Sequence, residues 1–314
     1  MRLKAGPRIY GLIGYPIKHS LSPAMHNAAF KTLKINAEYR LLEIRPDGLK
    51  DFLLKDILVR DIDGNTVSAK ALSGFNITIP HKVKAKEILE EKFPLSYSDK
   101  SYGFKELFHY VRVSGAINTV KREKEQLRYW NTDVSGFYRS LKEDLKFDAK
   151  NKNVLLIGCG GAGRAVIACL SWKSPKANRI YIYENNNEAA SFAREHFSQF
   201  SFLKEKLEFI STQQIPNVIG KCHLLVNASP VGMKEGDPSI IDKELLPKEL
   251  YVYDLVYNRE TQLIKDAREN LGDSKVAAGL GMLLYQGAIA FELWTGKKAP
   301  IDTMRQALLQ ALNG

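Results

Sequence analysis

From Asn153 onward the chain alternates short, wholly apolar runs with helix-length stretches, and this alternation limits its folding options more than any other feature. NVLLIG is followed by a helical stretch from Gly161, and RIYIYE by one over NEAASFAREHF; LEFI, HLLVNAS and YVYDLVY continue the series. Strands that are apolar on both faces need cover on both faces, which a parallel sheet between two helical layers provides. A doubly wound α/β unit is therefore expected here. The last forty or so residues read as two helices, near 281–294 and 301–312, with no further strand.

The first strand runs directly into IGCGGAGRAV, in which Gly158, Gly160 and Gly163 satisfy G-x-G-x-x-G. A glycine triplet between a strand and a helix is the setting of a dinucleotide loop. Gly158 would allow the tight turn, Gly160 the approach of backbone to a pyrophosphate, and Gly163 close packing of helix on strand. Gly161 and Ala162 open the helix, whose N-terminal N–H groups favour phosphate. The expected fold is thus a Rossmann unit with the cofactor on residues 158–163. Glu184 and Asn185 end the second strand, where an acid accepts hydrogen bonds from both ribose hydroxyls of NAD and repels a 2′-phosphate.

The formal net charge is +11, but lysines and arginines are interleaved with acids, as in VKAKEILEEK and KREKEQLR, so neither a nucleic-acid nor a membrane partner is expected. Cys159, Cys169 and Cys222 are odd in number and lack metal-ligand spacing, which argues against a disulfide framework and for a reducing, cytoplasmic setting, and no metal is expected. The opening MRLKAGPRIYGLIG holds no apolar stretch of signal-peptide length. VAAGLGMLLYQGAIAF falls short of the ~20 residues a membrane span needs and reads as a buried helix carrying Gln286.

The first half reads as a smaller α/β domain: strands RIYGLIGYP, AEYRLLEI and SGFNITIP separated by helices, then a hairpin of AINTVKR and QLRYWNTD. The expected organisation is a substrate domain over 1–135, a linker helix and junction over 136–150, the dinucleotide domain over 151–278, and C-terminal helices over 279–314 returning to the first domain. A cleft between the domains would hold the ligand. Three polar clusters stand at strand ends or loops. Ser20 and Ser22 precede Pro23 at a helix start, where hydroxyls bond a carboxylate or simply cap the helix. Thr78 and Lys82 bracket a Pro-terminated strand, and Asn118 and Asp133 lie at the two arms of the hairpin. Together these groups could enclose a polyhydroxylated carboxylate.

At this point the sequence resembles the shikimate dehydrogenases and the related quinate/shikimate dehydrogenases. GYPIKHSLSPAMHN, FNITIPHK, SGAINTV, NTDVSGF, IGCGGAGRA, NASPVGM, YDLVYN and GMLLYQGAIAFELWTG occur in the family's order and span nearly the whole chain. The resemblance implies reversible, nicotinamide-dependent reduction of 3-dehydroshikimate to shikimate, a step of chorismate and aromatic amino-acid biosynthesis. By position, Ser20 and Ser22 match the pair that holds the substrate carboxylate. Thr78, Asn118 and Gln286 match residues binding the carboxylate region or ring hydroxyls, Tyr257 matches a tyrosine near the carboxylate, and Lys82 and Asp133 match the catalytic pair. Hydride delivery to a ketone builds negative charge on oxygen, which an ammonium at Lys82, oriented by Asp133, would stabilise and protonate.

Three departures qualify the resemblance. Residues 92–113 form a longer segment than the family's, fitting an edge decoration or a homodimer contact. Arg259 stands where the family typically has proline. NADP-dependent members typically carry Asn-Arg-Thr where this chain has Glu184-Asn185-Asn186, so resemblance implies NADP while the residues themselves favour NAD. The alternatives are an NAD-dependent quinate/shikimate dehydrogenase and, outside enzymes, a non-catalytic sensor of pathway ligands. The presence of both Lys82 and Asp133 argues for catalysis.

Overall fold

The computed structural model describes residues 6–95, 105–172 and 176–313. The chain divides into two compact units, residues 1–132 with 284–314, and residues 133–283.

The first unit begins β1 (Arg8–Gly14), α1 (Ser22–Thr32), β2 (Ala37–Glu43), α2 (Leu49–Leu54), β3 (Leu58–Arg60), β4 (Thr66–Ser68) and β5 (Leu72–Ile77). It continues through α3 (Lys82–Lys92), α4 (Lys105–Ser114), β6 (Thr119–Glu123) and β7 (Gln126–Trp130). Its main sheet has the order β2-β1-β5-β6-β7. The first three strands are parallel, and β5, β6 and β7 are successively antiparallel. Its core gathers Ile13, Leu42, Phe52, Phe75, Leu89 and Val120. The short β3–β4 hairpin is not legible in the sequence, because three-residue strands leave too little alternation to read. Residues 96–104 of the long 92–113 segment lie outside the described residues.

The second unit opens with α5 (Thr132–Glu143, from Asp133 on), then β8 (Asn153–Ile157), α6 (Gly161–Trp172), β9 (Arg179–Tyr183), α7 (Asn187–Ser198) and β10 (Leu207–Phe209). It goes on through α8 (Ile215–Ile219), β11 (Leu224–Asn227), β12 (Tyr251–Asp254), α9 (Gln262–Leu271) and β13 (Val276–Ala278). The six-stranded sheet runs β10-β9-β8-β11-β12-β13, every pair parallel. This is the doubly wound order expected from the alternation, and its reversal point lies between β8 and β11. β13 corrects the expectation of no further strand. Val276–Ala278 pairs with Val252–Asp254, so the apolar run read as one helix is a strand followed by a helix. That helix, α10 (Leu280–Thr295), is followed by α11 (Ile301–Asn313). Gly279 separates strand from helix: a Cβ there would lie 2.1 Å from the Leu255 carbonyl oxygen.

No helix among the described residues is long and apolar enough to cross a membrane.

Candidate active site

In the first unit the parallel neighbours β1 and β5 end at the same edge, Ile13 opposite Ile77, and their loops are stitched together. Thr78 N–H donates to the Ile13 carbonyl at 2.9 Å, and Tyr15 N–H to the Ile79 carbonyl at 3.0 Å. The crossing needs glycine at 14, since a Cβ would come within 2.4 Å of Thr78 Cγ2 and 2.6 Å of Ile17 Cγ2. The β1 loop then delivers the serines. Ile17 N–H is held by Glu43 Oε1 at 3.2 Å, and Ser20 N–H by the Ile17 carbonyl at 3.0 Å. Ser20 Oγ accepts the Ser22 N–H at 3.3 Å and lies 3.2 Å from Ser22 Oγ, so the two hydroxyls form a pair at the start of α1.

The β5 loop delivers Lys82, half-buried, as the first residue of α3. That helix start is pinned from two sides. His81 Nε2–H donates to the Ile44 carbonyl at 2.6 Å, and the Lys82 carbonyl accepts the Ile117 N–H at 3.0 Å. His81 is 1% exposed, and burial pushes its imidazole pKa down against the opposing pull of that hydrogen bond.

Ile117 leads into Asn118, which is the hub of a buried polar network. Its Oδ1 accepts the Thr132 N–H at 2.7 Å and the Thr119 and Thr132 hydroxyls at 3.1 Å. Its Nδ2 donates to Thr132 Oγ1 at 3.0 Å and to Gln286 Oε1 at 3.1 Å. Gln286, on the apolar stretch of α10, therefore meets an amide 168 residues away. The structure thus joins Asn118 to Gln286 and Ser20 to Ser22, and stands Thr78 against the loop that carries the serines.

The sequence places Asp133 at a strand end; β7 instead stops at Trp130, and Asp133 lies in the first turn of α5, 4% exposed. The physical reason is a double clamp. Asn131 Nδ2 donates to Ser114 Oγ at 2.9 Å and to the Ala116 carbonyl at 3.0 Å, and Asn118 takes the Thr132 N–H, ending the ladder and turning the chain into a helix. An acid in a first helical turn is also favoured by the helix dipole.

In the second unit the glycine loop lies at the sheet's reversal point. Gly158 has φ +92°, and a Cβ on it would meet the Ala228 carbonyl carbon and Ser229 N at 2.8 Å, so the loops after β8 and β11 touch backbone to backbone. A Cβ on Gly163 would lie 2.1 Å from the Gly158 oxygen. A Cβ on Gly160 would meet nothing within 4 Å, which leaves that side of the loop open for a phosphate against the start of α6. Gly161 and Ala162 form that start. The residues fit a dinucleotide.

Glu184 follows β9, its Oε2 accepting the Cys159 N–H at 2.6 Å and its Oε1 the Asn186 N–H at 3.0 Å. Asn185 accepts the Tyr183 hydroxyl at 3.2 Å, and Asn186 caps α7 through the Ala189 N–H at 2.9 Å. Tyr257 is half-buried on the loop after β12.

Sequence reading missed what holds that loop. Asp254, fully buried, accepts Val256 N–H at 3.0 Å, Asn227 Nδ2 at 2.9 Å and Thr261 Oγ1 at 2.6 Å. Burial raises its carboxyl pKa against the lowering effect of these donors. An acid closing the wholly apolar strand YVYD was the available signal, as was Asn76 near the end of LSGFNI.

Models of the shikimate dehydrogenase substrate-binding domain and the shikimate 5′-dehydrogenase C-terminal domain match residues 12–96 and 279–309. The chain is 35% identical to a shikimate dehydrogenase (NADP(+)) of Methanopyrus kandleri over 98% of this chain and 97% of that protein. Among solved structures it is similar to the Thermus thermophilus shikimate 5-dehydrogenase in complex with NADP(H) and shikimate, with TM-score 0.74, 29% identity and 96% and 99% of the two chains covered. It is also similar to the Corynebacterium glutamicum quinate dehydrogenase in complex with NAD, with TM-score 0.76, 27% identity and 98% and 100% covered.

Proposed function

Because the chain belongs to the shikimate dehydrogenase family, we propose that it reversibly reduces 3-dehydroshikimate to shikimate in aromatic amino-acid biosynthesis, in the cytoplasm, with NAD(P) as cofactor and Glu184 favouring NAD over the NADP of its relatives. The observation that carries this reading is the pinned start of α3. It presents Lys82 on the loop side of a sheet whose neighbouring strand ends carry the Ser20–Ser22 pair, Thr78 and Asn118, the last joined to Gln286 of α10.

The bound nicotinamide supplies the hydride. Ser20 and Ser22 hydrogen-bond the substrate carboxylate, with Thr78 beside them and Tyr257 as a further carboxylate contact. Asn118 and Gln286 take the ring hydroxyls. As the ketone becomes an alkoxide, Lys82 Nζ–H donates to the oxygen carrying the new charge, and Asp133 is its acidic counterpart in the pair. In the reverse direction the Lys82 amine accepts the hydroxyl proton. Gly158, Gly160, Gly161, Ala162 and Gly163 hold the pyrophosphate, and Glu184 with Asn185 holds the adenosine ribose. A carboxylate already fixed by two backbone N–H groups offers acceptors to ribose hydroxyls and opposes a 2′-phosphate, which favours NAD.

Shikimate oxidation, followed by the appearance of reduced nicotinamide, tests this directly. Turnover is expected with both cofactors and a higher kcat/KM with NAD; absence of turnover with either contradicts the assignment.

A further inference from the structure

The motif GYPIKHSLSPAMHN and the strand end FNITIP contain three residues that play no part in the reaction above, namely His26, Asn27 and Asn76. In the structure all three meet at Tyr39, in β2. Asn27 brackets the Tyr39 backbone, its Nδ2 donating to the Tyr39 carbonyl at 3.1 Å and its Oδ1 accepting the Tyr39 N–H at 2.8 Å. The His26 ring stacks on the Tyr39 ring, centroids 4.4 Å apart and planes 10° from parallel. Tyr39 is 2% exposed, so its hydroxyl requires a buried partner, and it donates to Asn76 Oδ1 at 2.8 Å.

Asn76 passes the restraint on. With its oxygen engaged by Tyr39, its Nδ2 donates to the Asn118 carbonyl at 3.1 Å and to Thr119 Oγ1 at 3.0 Å. Thr119 Oγ1, an acceptor on that side, donates to Asn118 Oδ1 at 3.1 Å. The same oxygen receives the Thr132 N–H at 2.7 Å, so the carboxamide is held with Nδ2 on Gln286 Oε1. Each member fixes the hydrogen-bond polarity of the next, as buried networks require.

We propose that Tyr39 is a positioning residue of the active site. Clamped by His26 and Asn27, its hydroxyl sets the orientation of Asn76 and, through Thr119, of the ligand-binding amides of Asn118 and Gln286. This rests on the shikimate reading of those amides. Removing the hydroxyl takes from Asn76 Oδ1 its buried donor, lets that carboxamide turn, and loosens the grip on Asn118.

The test compares Tyr39→Phe with Tyr129→Phe, which removes another buried hydroxyl of the same unit, donating to the Phe93 carbonyl at 2.8 Å. Tyr39→Phe is expected to raise the KM for shikimate about tenfold, equivalent to about 1.4 kcal/mol. Its kcat and cofactor KM should stay within about twofold of wild type. Tyr129→Phe should lower Tm and leave the shikimate KM unchanged. Amide exchange at Thr132, whose N–H is held by Asn118 Oδ1, reads the same relay without turnover and should accelerate only in Tyr39→Phe. A Tyr39→Phe protein that loses Tm but keeps both its shikimate KM and its Thr132 exchange rate overturns the inference. If wild type fails to oxidise shikimate, the functional reading falls, and Thr132 exchange still decides the relay.

Discussion

Glu184 Oε2 accepts the Cys159 N–H at 2.6 Å, so the acid that follows one strand of the cofactor sheet is fastened to the glycine turn that follows its neighbour. On the proposed reading, this carboxylate would meet the adenosine ribose of a cofactor seated on the turn. Replacing it reverses the sign of the charge that a 2′-phosphate would meet. Glu184→Arg is expected to move the ratio of kcat/KM for NAD over NADP by at least about tenfold toward NADP, or about 1.4 kcal/mol. Steady-state kinetics with both cofactors checks this, and an unchanged ratio would mean that specificity resides elsewhere.

The two ends of the glycine loop should respond differently to one added methyl group. At Gly163 the new Cβ would lie 2.1 Å from the Gly158 oxygen, so helix and turn must separate. Gly163→Ala should cost about 1–3 kcal/mol of stability as well as cofactor affinity. At Gly160 a Cβ meets nothing within 4 Å, so Gly160→Ala should keep the wild-type Tm and weaken cofactor binding alone. Thermal melts beside cofactor titrations separate the two; a Gly160→Ala protein that binds cofactor like wild type would contradict placement of the pyrophosphate at this loop.

Acid should loosen the first unit through its buried histidines. His26 is packed against Tyr39 and Trp294, and burial lowers its pKa from 6.5 to about 3. Folded His26 is therefore neutral where the unfolded residue binds a proton. Its contribution to stability is fully present above pH 6.5 and is lost as pH falls toward about 3. The steepest loss is about 1.4 kcal/mol per pH unit. His81 acts in the same sense, while Asp254, with its raised pKa, acts oppositely in the carboxylate range. Urea unfolding between pH 7 and 5 should show falling stability in wild type and a shallower slope in His26→Phe. Equal slopes would remove His26 as a cause.

Much of this arrangement is legible in the sequence because it depends on short-range patterns. Apolar runs alternating with helices give the parallel sheet, and a glycine triplet between strand and helix gives the turn. The serine pair and Lys82 stand beside prolines that end strands or open helices. What stayed illegible depends on distant partners. Asn76 meets Tyr39 across 37 residues, Asn118 meets Gln286 across 168, and the Thr132 clamp turns a strand end into the helix that carries Asp133. No local spacing encodes such pairs, and a lone polar residue in an apolar strand signals only that a partner exists. β13 was hidden for a related reason: three apolar residues next to an apolar helix carry no periodicity of their own.

The central claim is that Lys82 moves the proton while neighbouring groups hold the substrate. The anchors of its helix start are the Lys82 carbonyl and the His81 ring, neither of which Lys82→Ala removes. The decisive measurement is therefore kcat for 3-dehydroshikimate reduction by Lys82→Ala, paired with calorimetric binding of shikimate. A loss of about 10²–10⁴-fold in kcat with shikimate binding retained is predicted. A Lys82→Ala enzyme that turns over near the wild-type rate would contradict the account.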